Sequence, residues 1–181
     1  MRADARRNRE RLLSAADLVF AERGPGASTE EVARRAGVGI GTVFRHFPTK
    51  ESLLEAVFVD RLRRLVDEAD KLARAEDPGA AFFAFLRTVI EQSDRKRTFS
   101  DALAAAGVDV AAVAAPAKDD LHSAGEVLLA KAQAAGAVRR DIGVRELMAL
   151  LVGLARAADC TPDPALRARA LEVLMDGLRP R

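Results

Sequence analysis

The chain has 181 residues, 49% hydrophobic and 31% charged, which is enough to bury a core and too apolar for a disordered polypeptide. Net charge is only +2, but residues 1–64 carry 13 Lys+Arg against 9 Asp+Glu (+4), and residues 65–181 carry 16 against 18 (−2). The lone cysteine, Cys160, excludes an internal disulfide and fits a reducing, cytoplasmic setting. With two histidines and no ligand-like spacing, neither a metal site nor a cofactor is expected. Leu12–Ala21 is interrupted by Asp17 and lacks the form of a signal peptide. The longest strongly apolar run, Leu147–Ala155, falls well short of the roughly 20 residues a bilayer requires, so no membrane segment is expected.

Residues 1–8, with Arg2, Arg6 and Arg7, read as a basic arm, either reaching toward phosphates or simply solvated. A helix is expected from about Arg6 to Arg23, with Leu13, Ala16 and Phe20 on one face, closed by Gly24-Pro25-Gly26. Ser28 followed three residues later by Glu31 is a capping-box spacing. It opens a short helix whose apolar face is Val32, Ala33 and Ala36 and which Gly37 ends. A second short helix, about Ile40 to His46, turns Val43 and Phe47 inward. Two short helices across a glycine-containing turn form a helix-turn-helix, a motif whose second helix enters the DNA major groove.

Pro48-Thr49 starts a long helix to about Arg74, its inner stripe Leu54, Phe58, Leu62, Leu65, Ala69 and Leu72. Asp77-Pro78 caps the next, which carries Phe82, Phe83, Phe85, Leu86, Val89 and Ile90 to about Ser93. Asp94-Arg95-Lys96-Arg97 reads as a charged, solvated exit, and Thr98–Ala106 as a short helix closed by Gly107. Val110–Ala135 is one alanine-rich helix whose true start Pro116 can set, because proline is tolerated only in a first turn. Asp141 is expected to cap a helix to about Ala158, and Thr161-Pro162-Asp163-Pro164 a turn before a last helix ending near Leu178. The fold class is all-α, about nine helices, with no alternating strand pattern.

Residues 9–57 resemble the DNA-binding domain of the TetR family of transcriptional regulators. The resemblance rests on Ala15–Gly24, Glu31-Val32-Ala33, Ala36-Gly37-Val38, Gly41-Thr42-Val43-Phe44, His46-Phe47 and Lys50-Glu51-Ser52-Leu53. Phe44 departs from the family's usual tyrosine and lacks its hydroxyl. The resemblance implies an amino-terminal three-helix DNA-binding domain over residues 1–50 and a helical effector-binding and dimerisation domain over 51–181. It implies that Ile40, Gly41, Thr42, Phe44, Arg45 and His46 face DNA, with Ser28, Thr29 and Lys50 at phosphates. Arg45 then contacts either a guanine or phosphate, and His46 either donates to phosphate or braces the helix. Ile40 and Thr42 are placed to touch a thymine methyl, and Phe44 to pack on sugar or thymine.

The resemblance further implies a homodimer on a near-palindromic double-stranded operator. Leu147, Leu150, Leu151 and Leu154, with small Gly153, and Leu171, Leu174, Met175 and Leu178 are the candidate dimer contacts. A small-molecule effector would sit among Phe82, Phe83, Phe85, Phe99, Leu103 and His122, with Arg87 or Gln92 as polar contacts; ordinary core packing is the alternative for each Phe. A repressor released from its operator by a ligand is thus the expected function. The alternatives are a DNA-binding architectural or adaptor protein without ligand response, and a helical-bundle enzyme. The last lacks support, since the chain holds no Gly-rich phosphate loop, nucleophile elbow or two-histidine helix motif.

Overall fold

The computed structural model describes residues 2–160 and 163–180, with the side chains of 2–6, 94–96 and 158–160 excepted. The arm residues Arg2 and Arg6, the Asp94-Arg95-Lys96 part of the charged exit, Cys160 and the Thr161-Pro162 half of the expected turn therefore lie, as side chains or wholly, outside the described residues. Nine helices are present among the described residues: α1 Arg2–Arg23, α2 Thr29–Ala36, α3 Ile40–His46, α4 Lys50–Leu72, α5 Pro78–Glu91, α6 Ser93–Ala105, α7 Val110–Ala134, α8 Val144–Cys160 and α9 Pro164–Leu178. The all-α fold is as expected.

Local chemistry explains most boundaries. The Ser28 hydroxyl accepts from the Glu31 N–H at 3.3 Å, and the Glu31 carboxylate accepts from the Ser28 N–H at 3.1 Å, so both halves of the capping box close α2. Gly37 ends it at φ 67°, with its N–H bonded to Arg34 O and that of Val38 to Ala33 O, the double bond pattern that a left-handed residue permits. At α4, Thr49 and Ser52 exchange the same kind of bonds, at 3.0 and 3.1 Å. Asp77 caps α5 by accepting from Ala80 N–H at 2.9 Å, with Pro78 in the first turn, where its missing N–H has no consequence.

Three expectations need correction, and the later start that Pro116 could set for α7 does not occur. α1 begins at Arg2, so the expected arm is helical; nothing between Arg2 and Arg23 breaks a helix, and Arg, Ala, Glu and Leu propagate one. The charged run at 94–97 lies inside α6, which starts at Ser93 with no glycine or proline to delay it. α7 starts at Val110, capped by Asp109, whose carboxylate accepts from the N–H groups of Ala111 and Ala112 at 3.1 Å. Pro116 therefore sits inside the helix, where it withholds one backbone bond. α8 starts at Val144, not after Asp141. Asp141 instead accepts two bonds from the Arg139 guanidinium, at 2.6 and 2.5 Å, which hold that guanidinium's pKa above its ordinary value. Glu146 reaches back to Gly143 N–H at 3.1 Å to close the first turn of α8.

The chain divides into two compact units, 1–62 with 95–115, and 63–94 with 116–181. In the first, α1, α2, α3 and the amino-terminal part of α4 bury Leu12, Phe20, Val32, Val43, Leu53 and Phe58. The unit also includes α6: Phe99, 1% exposed, meets Phe20 edge-on at 5.8 Å, and Arg61 stacks over the Phe99 ring at 4.1 Å while donating to Asp17 at 2.5 Å. The second unit has its own core, built on Phe82, Phe83, Phe85 and Leu86 of α5, Leu121, Leu128 and Leu129 of α7, Leu147 and Leu151 of α8, and Leu171, Met175 and Leu178 of α9. Gln133 ties the α7–α8 connection by donating to the carbonyls of Arg139 and Ile142 at 2.9 and 2.8 Å.

Because Phe99 fills the core of the first unit, Phe99→Ala is expected to lower stability by about 3–5 kcal/mol, the usual cost of emptying a buried phenyl site. Urea unfolding followed by circular dichroism measures this; a loss below about 1 kcal/mol would show that the ring is not a core group.

Candidate nucleic-acid interface

The outer surface of α3 follows from what its inner surface buries. Val43 and Phe47 are 0% and 3% exposed and point into the first unit. An α-helix turns 100° per residue, so Gly41 and Arg45, one turn apart, occupy the middle of the opposite, water-facing side. Ile40 and Phe44 form one flank of that side and Thr42 and His46 the other. Gly41, Phe44 and Arg45 are exposed, Ile40 lies at the edge of exposure, and Thr42 and His46 are half-buried.

Arginines outside the motif brace this surface. Arg11 on α1 donates to Ala36 O at 2.9 Å, a bond to the carbonyl end of α2 that the helix dipole favours. Arg9, one half-turn earlier, stacks over the Phe47 ring at 5.3 Å beside the carboxy-terminal end of α3. The His46 ring lies 6.3 Å from the same phenyl, tilted 45°. Sequence reasoning missed Arg9 and Arg11. Their only signal is their place on α1, and a helix repeat does not reveal which partner an arginine finds 25 or more residues away.

The three residues matched to phosphate positions differ in what they expose. Ser28 is exposed; its oxygen accepts from Glu31, which leaves its O–H free to donate outward. Thr29 is buried at 8% exposure, so only its backbone N–H, in the first turn of α2, is placed for an anion. Lys50 donates to Gly26 O at 2.9 Å, which pins the loop before α2 against the first turn of α4. An ammonium has three donors, and two remain. No aspartate or glutamate occurs from Val32 to Lys50, while Arg34, Arg35, Arg45 and Lys50 do.

The residues matched to an effector site are divided between the two units. Phe82, Phe83 and Phe85 are buried in the second unit, the first two packed edge-on at 5.4 Å. Phe99 and Leu103 are buried in the first unit. His122 is half-buried on α7. Arg87 donates to Glu172 at 2.7 Å and borders a half-open cleft of about 230 Å³ between α5 and α9, with Ile90, Arg167 and Leu171. Among the described residues no cluster of metal-ligating side chains occurs, and no helix is long and apolar enough to cross a membrane.

Of the residues matched to a dimer contact, Leu147, Leu151, Leu171, Met175 and Leu178 are buried within the chain's own second unit. Leu154 and Leu174 are half-buried. Only Leu150, at 46%, is well exposed, and it is joined on α8 and α9 by Val152, Leu166 and Val173 at 50–61%. Gly153 is exposed, with nothing within 4 Å of where a Cβ would lie.

Comparison with known proteins places the two parts of the chain in one family. Residues 12–57 match the family model of bacterial regulatory proteins, tetR family, and residues 77–180 match that of the transcriptional regulator SbtR-like carboxy-terminal domain. The solved structure of a TetR transcription regulatory protein from Mycobacterium vanbaalenii is similar over 99% of both chains, with 44% identity and a TM-score of 0.83. The uncharacterized regulator TtgW of Pseudomonas putida is 35% identical over 109 residues, 59% of this chain and 80% of its own. The transcriptional repressor Rv3405c of Mycobacterium tuberculosis is 44% identical over 73 residues, 36% of this chain and 39% of its own. Proteins of this kind act by binding DNA and are not enzymes. The chain belongs to the TetR family of DNA-binding transcriptional regulators.

Proposed function

We propose that this protein is a homodimeric repressor that reads a near-palindromic operator through α3 and leaves it when a small molecule binds the second unit. The observation that carries the reading is the outward side of α3, with Arg45 at its centre in a stretch, Val32–Lys50, that has no acidic residue. Such a surface is repelled by nothing on the phosphate backbone and offers a fork of donors to a base edge. The work divides by atom type. The amino-terminal end of α2 and Lys50 address phosphates and set position, and Arg45 addresses a base and sets sequence. A protein that works on chromosomal DNA acts in the cytoplasm.

One helix reads only a few base pairs, and two copies related by a dyad double the reading. The exposed Leu150, Val152, Leu166 and Val173 supply the apolar surface for a second copy, and bare Gly153 allows its backbone to approach. Repression is supported by the resemblance of 36% of the chain to Rv3405c, and ligand response by the shared fold of a SmeT–triclosan complex, with 24% identity and a TM-score of 0.64. The packed phenyl rings of α5 favour a competing reading, a DNA-binding protein that answers no ligand.

Arg45→Ala and Lys50→Ala separate the two kinds of contact. Arg45→Ala is expected to lose about 1–3 kcal/mol of discrimination at one base position. Lys50→Ala is expected to weaken all sequences alike and to reduce the slope of log affinity against log salt by about one. Fluorescence anisotropy with DNA flanking the protein's own gene, against random DNA, reads both; equal losses for Arg45→Ala on the two DNAs, or an unchanged slope for Lys50→Ala, would contradict the assignment. Leu150→Glu is expected to give a folded monomer in sedimentation velocity, because it charges an exposed apolar surface, and an intact dimer would place the interface elsewhere. Leu151→Glu is expected to unfold the chain, because Leu151 is 3% exposed in the core.

A further inference from the structure

Three features of α3 are unexplained by the fold. Ile40 and Phe44 are 36% and 43% exposed although Val43 and Phe47 already anchor the helix, so a large part of each apolar side chain is left facing water. They lie four residues apart and form one apolar ridge along a flank of the water-facing side. Gly41, beside that ridge, has no positive φ, and a Cβ built on it meets nothing within 4 Å. Neither backbone conformation nor internal crowding asks for glycine there, and glycine weakens a helix relative to alanine. What benefits from the bare backbone is a molecule approaching from outside.

The chemistry of that molecule is narrow. Phe44 and Ile40 carry no donor, so they make no hydrogen bond to a phosphate or to a polar base edge. In the major groove the one apolar group that a base pair presents is the C5 methyl of thymine. The surrounding stretch has positive charge and no acidic residue, which suits a polyanion such as DNA and no basic partner. We propose that Ile40 and Phe44 read thymine methyl groups: each operator half-site holds A·T pairs whose methyls lie against the ridge, next to the base pair that closes on bare Gly41 and is met by Arg45. The ridge thus sets specificity, and the ring of Phe44 serves it by its apolar face. The proposal rests on the reading of α3 as the DNA-contacting helix.

The test uses the full-length protein and a duplex that it selects from a pool of random 30-base-pair DNA. Each thymidine of that duplex is replaced in turn by deoxyuridine, which removes the methyl and leaves base pairing intact. Replacement at one or two symmetry-related positions is expected to weaken binding about fourfold per methyl, the affinity equivalent of burying one CH₂ group. The Ile40→Ala/Phe44→Ala variant is expected to bind thymidine and deoxyuridine duplexes alike, and Phe44→Tyr to keep the preference. Both substituted side chains are exposed, and a melting curve followed by circular dichroism verifies that the variants fold. If every deoxyuridine is tolerated, or its penalty persists in the double variant, while the selected duplex still outcompetes random DNA, the methyl reading is overturned and the role of α3 stands. If no duplex is preferred over random DNA, sequence-specific binding itself is refuted, and this proposal with it.

Discussion

The burial of two side chains, Val43 and Phe47, decides the rest of this DNA-binding head. A seven-residue helix is too short to be stable alone, and α3 holds its orientation because these two groups are almost fully removed from water. Fixing them inward leaves no freedom for the other side. Gly41 and Arg45 must face out, with an apolar flank on one side of them and a polar flank on the other. The bracing by Arg9 on Phe47 and by Arg11 on the end of α2 acts on the same frame. Most of the named contacts in this part of the chain either hold that frame or stand on its outer side.

Charge plays a local role in this arrangement. A net charge of +2 over the chain is too small to drive association by itself. The effect comes from where acids are missing. Glu31 lies close to the amino-terminal end of α2, where it would oppose a phosphate, yet it is engaged by Arg23, Arg34 and the Ser28 N–H. Glu22 is similarly paired with Arg35 at 3.3 Å. The acids near the proposed interface are thus partly neutralised by neighbours, each exposed pair being worth at most about 1 kcal/mol of stability.

How much of this could be read from the amino acids depends on distance along the chain. The Ser28–Glu31 box, the Gly37 stop, the extent of α3 and the Asp77-Pro78 start are all signals within four residues, and they appear as expected. The start of α7 at Val110 also appears as expected, and the later start that Pro116 could set does not occur, because Asp109 supplies a cap seven residues before the proline and the helix tolerates one lost bond. The place of α6 rests on Phe99 meeting Phe20 and Arg61 across 79 and 38 positions, which no periodicity reveals. The same holds for the carboxy-terminal leucines. Leu147, Leu150, Leu151 and Leu154 share one stripe only about 100° wide, so spacing alone does not tell which of them face the core and which lie at its edge. Packing of α8 on α5 and α9 does, leaving Leu150 out and Leu151 in.

The central claim is that two copies of α3 enter successive major grooves on one face of DNA. Hydroxyl-radical footprinting of the full-length protein on a duplex it selects tests it most directly. Two protected patches related by a dyad and centred about 34–36 Å apart, one helical turn, are expected. A single patch without a symmetry mate, or uniform weak protection along the duplex, would contradict it.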